Sequence, residues 1–105
     1  MDKDEAPPFA DSRERVLRCL NAALARKAGR PVVMNVRELS SFADYFLICS
    51  GASDRQVKAL CSHLQETLKK TGMIPLGVEG EKHGRWILMD YDDVVVHIFL
   101  EPLRE

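Results

Sequence analysis

Apolar positions along the chain recur with two different periods, and the switches between them divide it into elements. Asp11 followed by Glu14 has the form of a capping box, and Val16, Leu20, Ala23 and Leu24 then fall at i, i+4, i+7 and i+8. That spacing predicts an amphipathic helix. The helix is expected to stop at Gly29, with Arg26 and Lys27 in the last turn, where they complement the negative end of its dipole, and with Pro31 just beyond. Val32 to Val36 predicts a first short strand and Arg37 to Ser41 a polar connection. Ala43 to Ser50 (ADYFLICS) predicts a second strand, closed by Gly51, with Tyr45, Leu47 and Cys49 on one face and Phe46 and Ile48 on the other. Ser53 and Gln56 form another capping box, and Val57, Leu60, Cys61, Leu64 and Leu68 give a second helical stripe that Lys69, Lys70 and Gly72 end. Ile74 to Val78 predicts a further strand, weakened by Pro75 and Gly77, and Glu79 to Arg85 a polar loop.

The last stretch, Gly84 to Leu100 (GRWILMDYDDVVVHIFL), consists of two apolar runs separated by Asp92-Asp93 and predicts a β-hairpin. Val94, Val96, Ile98 and Leu100 share one face; Val95, His97 and Phe99 share the other. Both faces are apolar, as they are in the strand at Ala43 to Ser50. The resulting order is α-β-β-α-β-β-β, a single mixed five-stranded sheet with two helices. A helix is about 10 Å across and strands are about 4.8 Å apart, so two helices cover roughly one face of such a sheet. A solvated second face would expose an apolar patch of the kind that marks interaction surfaces, and the pattern asks for a partner.

Length and charge narrow the classes. With 105 residues the chain forms one domain, with residues 1–10, which include Pro7-Pro8, expected to form a flexible tail and residues 11–105 the folded unit. A net charge of -1 from 15 basic and 16 acidic residues gives no bulk attraction to nucleic acid. Cys19, Cys49 and Cys61 form no CxxC pair and lie in apolar stretches, as buried thiols of a cytosolic protein do. No run approaches the apolar length of a membrane span and the charged N-terminus has no signal-peptide pattern; the expected location is the cytoplasm, without membrane contact.

Candidate chemistry is sparse. Asp90, Asp92 and Asp93 form a carboxylate cluster that could hold Mg²⁺ for phosphoryl transfer, and Ser50 to Ser53 before a helix could receive a phosphate, which keeps a small nucleotidyltransferase-like, Mg-dependent enzyme as the alternative. A hairpin turn explains the aspartates better, since Asp bonds its own backbone in turns and no phosphate-cradling loop accompanies them. His63, His83 and His97 have no metal-ligand spacing, so neither a metal nor a cofactor is expected. His97 stands out as a mid-strand imidazole among apolar neighbours that needs a hydrogen-bond partner or an interface. Cys49 would act as a nucleophile only beside a base. Trp86, the single tryptophan, follows Arg85 on the first hairpin strand and Tyr91 stands at its far end. The residues alone leave core and interface open for Trp86, and the two-faced hairpin favours the interface.

The segments ADYFLICSGAS at Ala43 to Ser53, QVKAL at Gln56 to Leu60, Glu79-Gly80 and GRWILMDYDDVVVHIF at Gly84 to Phe99 together resemble the ribosomal silencing factor family, also called the Iojap family. The resemblance runs from about Asp11 to the C-terminus. It implies a small α/β fold related to nucleotidyltransferases but without their catalysis. It also implies a translation repressor that binds the large-ribosomal-subunit protein numbered fourteen and sterically blocks joining of the small and large subunits when nutrients are scarce. Trp86, Met89, Tyr91, Val95 and His97 match the region of the ribosomal contact, with a homodimer as a compatible further assembly. Two departures stand out: Asp92 occupies a turn position where the family commonly has Gly, and the sequence stops at Arg104-Glu105, where relatives continue with an aromatic, leucine-rich acidic tail.

Overall fold

A computed structural model describes residues 12–104; the expected N-terminal tail and the Asp11 cap lie outside the described residues. Helix α1 spans Ser12–Ala25, β1 Gly29–Asn35, β2 Tyr45–Gly51, α2 Asp54–Lys69, β3 Gly77–Glu79, β4 Trp86–Asp90 and β5 Val94–Leu100, followed by a 3₁₀ turn over Glu101–Leu103. The strands form one mixed sheet in the order β1-β2-β5-β4-β3, with β2 and β5 parallel and the other pairs antiparallel. This is the α/β class and element order that the apolar periods predict.

Both helices lie on one side. The core unites Val16, Cys19, Ala22 and Ala23 of α1 and Val57, Leu60, Cys61, Leu64 and Leu68 of α2 with Leu47 and Cys49 of β2, Ile87 and Met89 of β4 and Val94, Val96 and Ile98 of β5. These strand residues share a single face by register: Leu47 is paired with Val96 and Cys49 with Ile98, while Ile87 lies opposite Ile98 and Met89 opposite Val96. All three cysteines are free and buried.

Several boundaries move, each for a local reason. Helix α1 ends at Ala25 rather than running on to Gly29, so Arg26 and Lys27 lie beyond its last turn. Lys27 takes the left-handed position (φ 57), donating its N–H to Leu24 O (2.9 Å), while Ala28 N–H reaches Ala23 O (3.1 Å) and buries its methyl. This is a Schellman ending carried by a residue that rarely occupies it. Ending early frees Gly29 to open β1 opposite Ser50, and a bulge at Arg30 and Pro31 absorbs the proline before Val32 pairs with Ile48. Val36 falls just past that strand. Helix α2 behaves as expected: Ser53 Oγ accepts the Gln56 N–H (3.1 Å), Gln56 Oε1 accepts the Ala52 N–H (2.6 Å), and Gly72 at φ 89 closes the other end. Strand β3 is shorter than the predicted Ile74 to Val78. Pro75 has no N–H to give a ladder, and Ile74 and Leu76 remain exposed.

The β4–β5 turn ties the layers together. Asp92 N–H donates to Asp90 Oδ1 (2.8 Å), Tyr91 N–H to Val94 O (2.8 Å), and Asp92 sits at φ 76. Arg15 of α1 reaches across to donate to Asp93 Oδ1 and to Tyr91 O, both at 2.9 Å. Asp92 therefore bears a left-handed strain that glycine would not. That strain costs about 1–2 kcal/mol for an L-residue, less for Asp, whereas glycine adds about 0.4–1 kcal/mol of unfolded-chain entropy. Asp92→Gly is expected to raise stability by about 0.5 kcal/mol, read as a higher urea midpoint with an unchanged slope; a lower midpoint would show that the turn is unstrained.

Candidate interaction face

The second face of the sheet carries no helix among the described residues. Register places on it Val32 and Met34 of β1, Phe46 and Ile48 of β2, Val95, His97 and Phe99 of β5, and Trp86 and Leu88 of β4. Met34 pairs with Phe46, which pairs with Val95; Val32 pairs with Ile48, then His97, then Leu88. The result is a continuous apolar band across four strands. Its inner members are half-buried by one another, whereas Val32 (43 %), Met34 (40 %) and Trp86 (52 %) are open to solvent.

Aromatic groups organise one end of the band. Trp86 stacks on its cross-strand partner Phe99 with ring centroids 5.4 Å apart and planes 14° from parallel. Its indole Nε1–H donates to His97 Nδ1 at 3.2 Å. Phe46 meets His97 edge to face, with centroids 4.9 Å apart. Burial holds His97 below the ordinary imidazole value, so the ring that accepts the indole proton is the neutral one.

The five residues expected at a contact divide between the two faces. Trp86, Val95 and His97 come together on the open band. Met89 and Tyr91 do not: they are 0 % and 1 % exposed and belong to the helix-covered core. The reason is parity. Met89 lies three residues from Trp86, and an odd step along a strand reverses the face. The Tyr91 ring, one step past β4, packs in that core with a hydroxyl that has no hydrogen-bond partner among the described residues, and burial pushes its pKa upwards. Six further members of the band, Val32, Met34, Phe46, Ile48, Leu88 and Phe99, were not among the expected contacts. Alternation within each run could have grouped them, but joining the runs needed the β2–β5 register.

The other candidate chemistry is structurally occupied. Asp93 holds Arg15, Asp90 holds the turn, and Ser50 Oγ accepts from Arg104 Nη1 (2.7 Å) while donating to Gly29 O (3.3 Å). Burial pushes Cys19 up to about 12 and Cys49 up to about 11, so neither forms a thiolate near neutral pH.

Among the described residues the molecule is thus a two-layer α/β protein whose sheet carries helices on one face only. The sequence model for "Ribosomal silencing factor during starvation" matches residues 9–105. A ribosomal silencing factor of Halalkalibacterium halodurans is 38 % identical over 93 residues, covering 89 % of this chain and 80 % of the relative. One from Bacillus subtilis is 35 % identical over 94 residues, with 89 % and 80 % covered. A crystal structure of a Chromobacterium violaceum protein superposes with a TM-score of 0.86 at 33 % identity, covering 89 % of this chain and 78 % of that one. The chain belongs to the ribosomal silencing factor family, the family that its hairpin motif resembles.

The assignment of faces gives a sharp contrast between two aromatic residues. Tyr91→Ala empties a core site and is expected to cost about 3–5 kcal/mol, whereas Trp86→Ala, losing a half-exposed stack, is expected to cost about 1 kcal/mol. Chemical denaturation of both variants checks the order, and equal losses would mean that Trp86 is a core residue.

Proposed function

We propose that this protein represses translation by docking the open sheet face on a protein of the large ribosomal subunit, the one numbered fourteen, and so sterically blocking joining of the small and large subunits in the cytoplasm. The observation that carries the reading is the uncovered apolar band with Trp86 at its exposed end. Family membership supplies the ribosome as the place of action and silencing as the outcome. Steric exclusion needs a rigid surface and no turnover, which accords with aspartates committed to the fold through Arg15 and the turn amides. Trp86, Val95 and His97 are the residues of the original contact set that such docking can use, with Phe46 and Phe99 as their neighbours.

Trp86 is the expected anchor, since it is the largest and most exposed side chain of the band, and buried Trp residues carry a large share of the energy of a contact. Trp86→Ala is expected to weaken binding to isolated large subunits by about 2–4 kcal/mol while the fold persists. Co-sedimentation with purified large subunits, with small subunits as the control, measures it. Equal pelleting of wild type with both subunits would remove the proposed function; undiminished binding of the Trp86→Ala variant would remove the anchor. A second copy of the chain is the competing occupant of the face, and sedimentation velocity over a concentration series separates the two.

A further inference from the structure

Trp86 is half-exposed, and an indole in that position can turn about two side-chain torsions unless something fixes it. Phe99 fixes its plane by stacking, but stacking tolerates sliding and a flip of the ring. The hydrogen bond from Nε1 to His97 Nδ1 adds direction: only one edge of the indole carries a donor. His97 is in turn held by Phe46 at 4.9 Å and lies nearly parallel to Phe99, with ring centroids 6.1 Å apart and planes 7° from parallel. The ring that accepts is therefore itself braced from two strands.

We propose that His97 is a positioning residue for docking: its neutral imidazole locks the Trp86 indole in the orientation presented to the partner, so that protonating His97 unlocks the anchor. This rests on the reading of the open face as the docking surface. The chemistry is set by the imidazole alone. Neutral, with its proton on Nε2, it offers Nδ1 as an acceptor; protonated, it donates from both nitrogens and confronts the indole N–H with another N–H. Among the described residues Nε2 is buried without a partner, so the added charge finds no acceptor there.

The surroundings favour the neutral ring. From β2 the in-register neighbours are Phe46, Ile48 and Ser50; from β4 they are Trp86, Leu88 and Asp90; on β5 itself they are Val95 and Phe99. Asp90 alone among these carries an acidic side chain. It stands opposite Val95, one pair along, with Oδ1 occupied by the Asp92 amide. Burial accordingly lowers the His97 pKa from 6.5. Well above pH 6.5 the ring is neutral in both folded and unfolded chains. As pH falls below 6.5 the unfolded chain takes the proton first, so stability declines, and the indole lock opens as pH passes through the lower, folded value.

Because the chain has a single tryptophan, its one indole ¹H–¹⁵N resonance reports the lock directly. Two variants separate its components: His97→Phe keeps an aromatic ring and deletes the acceptor, and His97→Asn puts an uncharged carbonyl oxygen near the place of Nδ1. The wild-type resonance is expected to shift and broaden in one titration below pH 6.5, and to be flat with pH in both variants. Near neutral pH, His97→Phe is expected to bind large subunits about tenfold more weakly, the scale of one hydrogen bond. His97→Asn is expected to stay within about threefold of wild type and to lose less affinity on acidification than wild type does. An indole resonance indifferent both to pH and to His97→Phe would overturn the lock. A responsive resonance with unchanged affinity in folded His97→Phe would overturn its role in docking. Failure of wild type itself to bind large subunits would instead overturn the docking reading, and the resonance would still decide the lock.

Discussion

The parallel pairing of β2 with β5 is the constraint from which the rest of the architecture follows. Parallel neighbours cannot be joined by a tight turn, and here α2, β3 and β4 all lie in the connection between them. That connection places α2 against β2, β4 and β5 and sets β4 and β3 on the far side of β5, while β1 completes the near side by antiparallel pairing. Helix α1 packs beside α2 on the same face. Five strands at about 4.8 Å spacing are nearly as wide as two helices of about 10 Å each. One face is therefore fully used and the chain has no further helix, among the described residues, to spend on the other.

Asp93 holds this arrangement at one end. Its carbonyl accepts from the amides of Asp44 (2.7 Å) and Tyr45 (3.2 Å), which starts β2 alongside β5, and its carboxylate accepts from Arg15 of α1. One residue thereby links the hairpin turn, the parallel pair and the helix layer. At the opposite end Arg104 bonds Ser50 Oγ and Gly29 O, closing the chain end onto β1 and β2. Acidic and serine side chains that could suggest phosphate chemistry thus complete hydrogen bonds that the sheet would otherwise leave open, as buried polar groups require.

Much of this was legible in the sequence because helical stripes and strand alternation are properties of contiguous residues. Val57 to Leu68 identified α2 and its buried side, and the Ser53 and Gly72 ends followed from local chemistry. Lys27 hid the end of α1, since its left-handed conformation is imposed by the Ala23 and Leu24 carbonyls rather than by its own preference. The site was legible only by halves. Alternation separates Trp86 from Met89 within β4, yet it does not say which parity the helices will cover; that choice is made by tertiary packing. Family resemblance, which works by position along the chain, grouped Trp86, Met89 and Tyr91 together where the fold divides them.

A face left open by the fold must remain tolerable in water and still be ready to bind, and the arrangement of aromatics serves both needs. Phe46, Val95, His97 and Phe99 are half-buried by their neighbours, which limits the apolar surface exposed at any one place. Trp86 stands out furthest, but its one polar atom is satisfied by His97 and its plane is set by Phe99. A side chain already ordered in the free protein loses little rotamer entropy when a partner covers it, so more of the burial energy remains as affinity. The same hydrogen bond ties that readiness to the protonation of a single imidazole. On the proposed docking reading, the face owes its specificity to a small aromatic cluster whose geometry is fixed before contact, rather than to the extent of apolar surface around it.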